Sequence, residues 1–158
     1  MSKKNKQLIQ DSIDYVWHPY SKMNSCNEHN LIAIESGHKS WLKSVDGDQY
    51  FDAISSWWVN LFGHNNPFIK KSVLRQLNKI EHVMLSGMTH QPVVRLSKKL
   101  AHLTNLDHCF FSSDGSSSVE IALKMSFHFW RNKGFKKTKF AMLENSYHGE
   151  TIGAMSVT

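Results

Sequence analysis

Apolar positions recur along this chain in two rhythms. Between Leu31 and Ile54 they come in short runs, LIAIE, SWLKSV and QYFDAI, broken by SGHK and DGD. Such runs between turn-forming residues predict strands. Asp46-Gly47 is a hairpin signal, because both residues accept the positive φ of a tight turn. The pattern therefore predicts a small antiparallel meander. From Asn66 the spacing becomes helical. Ile69, Val73, Leu77 and Ile80 fall three or four residues apart with lysines between them, and Asn66 and Pro67 stand where a cap and a first helical residue belong. QPVVRLSKKLAHLT repeats the device, with Pro92 at the start and Val93, Leu96 and Leu100 on one face. Residues 1–30 keep neither rhythm and predict a partly irregular arm.

Farther on, the run HCFFS predicts a strand, a cluster of small residues predicts a turn, and a helix extends to about Lys133. KFAMLE, Lys139 to Glu144, predicts a second strand. Strand, helix, strand is a βαβ unit, which implies parallel pairing in a covered sheet and an α/β fold class. The helix is apolar nearly all round. Val119, Ala122, Leu123 and Trp130 form one stripe, and Ile121, Met125 and Phe129 another, so it is expected to be buried between layers and to carry no chemistry.

The turn before that helix is SSDGSSSVE, with Ser112, Ser113, Ser116, Ser117 and Ser118 around Gly115. Ser117 and Glu120 have capping-box spacing, so a well-capped helix is a complete structural account. Yet one cap needs one serine. Hydroxyls, free N–H groups and a helix dipole around a glycine also make a site for a phosphate or carboxylate. No Gly-Lys-Ser/Thr follows, and the three glycines of a dinucleotide fingerprint are missing. A single phosphate suits the turn better than a pyrophosphate.

ENSYHGE follows the second predicted strand, and ligands of open α/β sheets collect at strand carboxyl ends. Tyr147 is thereby placed near the turn, either as a hydrogen-bonded core residue or stacked on a planar ring. His148 is either structural or an acid–base group. Trp17-His-Pro-Tyr20 and Ser55-Ser-Trp57-Trp58 concentrate large rings in the arm and at the end of the meander. They form either a binding surface or a hydrophobic staple between arm and meander.

Composition narrows the function classes. With 158 residues and 41% apolar content, the chain can build one ordinary core. No apolar run approaches the roughly 20 residues of a membrane span, and Met1-Ser-Lys-Lys-Asn-Lys leads into no apolar segment of a secretory signal. Cys26 and Cys109 form no metal-like pair and fit free thiols in a reducing cytoplasm. The net charge of +6 comes from lysines scattered among acids, unlike a clustered nucleic-acid footprint. The ten histidines include no His-Glu-x-x-His, and no metal site is expected.

Five segments carry a family resemblance: SSDGSSSVEIALKMSFHFW, ENSYHGETIGAMSV, WHPYSKM, AISSWWVNLFGHNNP and HVMLSGMTHQP. From about Tyr15 onward the chain resembles the adenosylmethionine–8-amino-7-oxononanoate aminotransferases, the diaminopelargonate synthases of biotin biosynthesis, within the class III aminotransferases. The glycine-serine turn and Tyr-His-Gly are shared across class III, whereas WHPY and SSWW are far more specific to the diaminopelargonate synthases.

The resemblance implies the N-terminal part of a fold type I pyridoxal-phosphate transferase. Residues 1–63 would be an arm and small-domain meander, and residues 64–158 the start of the large, mostly parallel cofactor-binding domain. It implies pyridoxal 5'-phosphate as cofactor, with Gly115 and Ser116 on its phosphate and Tyr147 stacked on its ring and bordering the substrate. Trp57 would line the keto-substrate pocket, and Tyr20 would contact substrate and the adenine of the donor. S-adenosylmethionine and 8-amino-7-oxononanoate are the implied substrates, with a cytoplasmic homodimer, no nucleic acid and no membrane. Asp114 departs from the small serine expected before the glycine, and its charge opposes a phosphate unless its side chain caps the helix. Family members run to several hundred residues, so the Schiff-base lysine is expected outside these 158, with no catalytic residue among them and an inactive fragment. The alternatives are another class III aminotransferase or a truncated, non-catalytic interaction protein.

Overall fold

The computed structural model describes residues 1–22 and 31–158. Cys26 lies outside the described residues, while Cys109 is a free, partly buried thiol. The chain forms two compact units, Met1–Val83 and Met84–Thr158. Among the described residues no helix is long and apolar enough to cross a membrane, and no three His, Cys, Asp or Glu side chains gather to hold a metal ion.

The first unit opens on α1 (Lys3–Tyr15), where an irregular arm was expected. The Ser2 side chain caps it by accepting the Asn5 N–H at 3.2 Å. The Asp46 carboxylate then accepts the Ser2 N–H at 3.0 Å and Asn5 Nδ2 at 2.7 Å. The start of α1 is thus tied to the hairpin turn, a long-range contact that local periodicity does not register.

The meander is present: β1 (Ile34–His38), β2 (Trp41–Ser44) and β3 (Gln49–Phe51) pair antiparallel in that order. Its first strand lies later than the sequence suggests. SGHK was expected to be the connector, but Ser36, Gly37 and His38 pair with Lys43, Leu42 and Trp41. The turn falls at Lys39, whose φ is 53°. Gly37 serves close packing here: a Cβ on it would meet His64 Cβ at 2.8 Å. Asp46-Gly47 turns the second hairpin as expected, with Gly47 at φ 96°.

After β3 comes α2 (Ser55–Trp58), a single turn whose four residues all have positive φ, between 47° and 68°. It is left-handed. Next is α3 (Pro67–Leu77), capped by Asn66, whose side chain accepts the Phe68 and Ile69 N–H groups at 3.0 and 3.3 Å. Ile80 lies beyond its end.

The second unit holds α4 (Gln91–Thr104), α5 (Gly115–Asn132) and α6 (Ile152–Met155). The apolar pattern does not predict the short α6. Neither HCFFS nor KFAMLE forms a strand: the meander is the only sheet among the described residues. A strand exists through its ladder partners, and these two segments do not pair with each other. The expected burial of α5 is likewise absent. It packs on α6, and Met125 and Phe129 remain exposed. Among the described residues, Val94 and Leu96 of α4 also stay exposed.

Candidate functional site

The turn before α5 is organised by Asp114. Its backbone is extended, its Oδ1 accepts the Ser117 N–H at 2.7 Å, and its Oδ2 accepts the Ser117 hydroxyl at 2.8 Å and the Ser113 hydroxyl at 2.9 Å. Those bonds hold its carboxyl below the ordinary value, the Ser117 N–H most of all, then the Ser117 and Ser113 hydroxyls. The expected Ser117–Glu120 capping box does not form. A carboxylate makes charge-assisted bonds that a serine hydroxyl cannot match, so Asp114 takes the cap. The Ser118 hydroxyl donates to the Asp114 carbonyl at 3.0 Å, as does Ser112 at 3.1 Å. Four of the five serines therefore bind the turn to itself, and the fifth, Ser116, bonds to Thr151.

Glu120 reaches forward to α6. Its Oε1 accepts the Gly153 N–H at 2.7 Å and the Ala154 N–H at 3.3 Å. Its carboxyl is lowered, first by the Thr151 hydroxyl and then by the Gly153 N–H. Ser116 Oγ accepts the Thr151 N–H at 3.0 Å and lies 2.7 Å from Thr151 Oγ1. Gly149, at φ 120°, presses on the same turn of helix, where an added Cβ would sit 2.8 Å from Ser116 Cα. These contacts fasten the 147–155 segment across the start of α5.

One concavity of about 550 Å³ results, lined by Gly115, Ser116, Val119, Tyr147 and His148 among others. The structure thus brings Gly115, Ser116 and Tyr147 together. Tyr147 is 69% exposed, so it is not a buried core tyrosine. A Cβ on Gly115 would meet nothing within 4 Å, so the backbone there is open. First-turn N–H groups at the positive end of an 18-residue helix, an open glycine and an adjacent aromatic face together fit a phosphate joined to a flat ring. The Asp114 charge opposes the anion, but both its oxygens are engaged by turn donors. A larger concavity of about 790 Å³ along α4, lined by Val93, Val94, Ala101 and Phe111, gathers none of the expected site residues.

Tyr20 and Trp57 belong to the first unit. Their rings meet edge to face, with centroids 5.0 Å apart at 67°. The staple alternative is met in part, because this contact joins the arm to α2. Yet Tyr20, Trp57 and Trp58 all remain exposed, as an unfilled binding surface would be. The turn that carries Trp57 is costly, since four left-handed residues lose roughly 4–8 kcal/mol relative to right-handed backbone. The Asp52 carboxylate holds it. Oδ1 accepts the Ser56 N–H at 2.9 Å, and Oδ2 accepts the Ser56 hydroxyl at 2.7 Å and His64 Nε2–H at 2.7 Å. The carboxyl falls to about 2, chiefly through the Ser56 N–H, then the Ser56 hydroxyl and His64. Asp52 and His64 were not singled out from the sequence. The available signal was an aspartate just ahead of a serine pair, the usual acceptor for turn N–H groups.

Comparisons with known proteins converge. The aminotransferase class-III family matches residues 23–158. The chain is 46% identical over 147 residues to an adenosylmethionine-8-amino-7-oxononanoate aminotransferase of Helicobacter pylori, covering 92% of this chain and 34% of the relative. It is 44% identical over 158 residues to the enzyme of that name from Staphylococcus aureus, covering 96% and 35%. The crystal structure of the Methanocaldococcus jannaschii enzyme of the same name superposes with a TM-score of 0.91 at 39% identity, over 96% of this chain and 35% of that one. The chain thus spans about a third of the length of the relatives it matches.

Proposed function

Because this chain belongs to the class III aminotransferase family, we propose that it is the N-terminal third of a pyridoxal phosphate-dependent transaminase. The whole protein moves the amino group of S-adenosylmethionine to 8-amino-7-oxononanoate, giving 7,8-diaminononanoate in biotin biosynthesis. The fold is α/β, that of the N-terminal part of a fold type I transferase. The observation that carries the substrate assignment is the Tyr20–Trp57 ring contact. It joins WHPY and SSWW, the two segments by which this chain resembles the diaminopelargonate synthases rather than class III at large.

Pyridoxal phosphate, when bound, supplies the electron sink for amino transfer. The chain's residues hold and orient it. Gly115 and Ser116 would hold its phosphate at the start of α5, and Tyr147 would lie against its ring. Trp57 forms a wall of the keto-substrate pocket, and Tyr20 contacts both the substrate and the donor's adenine. Residues 1–63 form the arm and small-domain meander, and residues 64–158 begin the cofactor-binding domain of a cytoplasmic homodimer.

The test is amino transfer by the full-length protein. Formation of 7,8-diaminononanoate with S-adenosylmethionine as donor is the expected result. A protein that aminates a different keto compound from alanine or a simple amine, and not from S-adenosylmethionine, overturns the substrate assignment and leaves the family intact.

A further inference from the structure

We propose that Asp52 is a positioning residue for the keto substrate: its carboxylate locks the left-handed turn Ser55–Trp58 and so fixes the Trp57 ring against Tyr20. The inference rests on the reading that Trp57 lines the keto-substrate pocket.

Asp52 sits in a brace built from the meander. Its own N–H donates to the Ser40 carbonyl at 2.8 Å. His64 reaches it from the other side, and the His64 backbone is pinned to Lys39 by two bonds, of 3.1 and 2.7 Å. Both side chains are largely covered, Asp52 at 6% exposure and His64 at 15%. From this anchored carboxylate two bonds run to Ser56, the residue before Trp57. Left-handed backbone is strained in every non-glycine residue. A turn of four such residues keeps its shape only where something over-determines it, and Asp52 is the group that ties this turn to the sheet. The Trp57 ring direction follows from that turn.

The experiment uses the full-length enzyme. Asp52→Ala is expected to raise the KM of the keto substrate roughly 10-fold or more, since small misplacements of positioning groups cost that much. The single-turnover rate with the amino donor falls less than the keto half-reaction does, because Asp52 reaches Tyr20 only through the Trp57 ring. In a Trp57→Ala background, Asp52→Ala adds no further loss, because the two act through one ring. Ser55→Gly restores the Asp52→Ala variant, since glycine accepts positive φ without strain. A 5-fluorotryptophan label reads the ring without any turnover. The Trp57 fluorine resonance is expected to shift and broaden in Asp52→Ala, and to a smaller degree in Ser56→Ala, which keeps the carboxylate and serves if Asp52→Ala does not fold. An unchanged fluorine resonance, or independent losses in the double variant, overturns the proposal. If Trp57→Ala itself leaves the keto half-reaction intact, the pocket reading has failed, and the fluorine spectra alone decide whether Asp52 holds the ring.

Discussion

The Glu120 carboxylate accepts the Gly153 N–H at 2.7 Å, joining the second turn of α5 to the first turn of α6. A Cβ on Gly153 would sit 2.7 Å from Glu120 Cδ, so a larger residue there would push this carboxylate aside. The bond helps carry the Tyr147 segment to the glycine turn. Glu120→Ala is expected to free that strap. Amide hydrogen exchange at Gly153 and Ala154 should then accelerate, while the Ser117 amide, held by Asp114, keeps its protection.

Gly149→Ala tests the same junction by steric means. The substitution puts a methyl group on a residue at φ 120° and against Ser116. Overpacking and left-handed strain together cost about 2–4 kcal/mol. Thermal melting of the full-length protein measures it, and an unchanged midpoint would show that the segment does not seat on α5 as described.

Gly115→Val separates the site from the fold. Gly115 is not at positive φ, and a Cβ there meets nothing within 4 Å, so stability should stay within about 0.5 kcal/mol. Pyridoxal phosphate affinity should nevertheless fall by at least about tenfold, since the branch fills the space proposed for the phosphate. Equilibrium dialysis beside a melting curve checks both halves. Equal affinity for both proteins removes the phosphate from this turn.

Tyr147→Phe keeps the ring and loses the hydroxyl, whereas Tyr147→Leu loses both. An aromatic contact contributes about 0.5–1.5 kcal/mol beyond its area. Cofactor affinity should therefore fall roughly 2- to 12-fold further in the Leu variant. Indistinguishable variants would mean that the ring does not lie on the cofactor.

Acid should loosen the Asp46 and Asp52 braces of the first unit while leaving the cap of α3, which rests on the non-titrating Asn66 side chain. Asp46 and Asp52 both have carboxyls lowered from 3.8 to about 2. For Asp46 the Ser2 and Asn5 bonds are the cause. A lowered carboxyl contributes stability that is complete above its unfolded value and is lost as pH falls through its folded value. The loss is thus confined to the window from about pH 4 down to about 2. The Ser2 and Ser56 amide resonances should titrate in that window and stay flat above it. A midpoint near 4 for either would remove the corresponding bond.

Local pattern announced much of this chain. Asn66-Pro67 and the lysine-interrupted apolar series located α3, and Pro92 located the start of α4, because caps and amphipathic stripes are set by neighbours within a few residues. Asp46-Gly47 located a hairpin for the same reason. Gly115, Ser116 and Tyr147 were legible as candidates, since small residues at a helix start and an aromatic residue after a strand-like run carry their chemistry in sequence. The cap itself was misassigned: the spacing of Ser117 and Glu120 suits a capping box, but a carboxylate one position before the helix outcompetes it.

The sequence by itself determined α3, α4 and α5, the meander and the residue types of the site, because each of these depends on contacts a few residues apart. Tertiary structure decided the rest. It placed β1 around Gly37 because the His64 ring needs that space, and it started α1 because Asp46 accepts the Ser2 N–H and the Asn5 side-chain amide. It left HCFFS and KFAMLE without ladders, since strands require partners and these two do not pair. It also bent Ser55–Trp58 into a left-handed turn, which no local preference favours and which the Asp52 carboxylate bonds through Ser56.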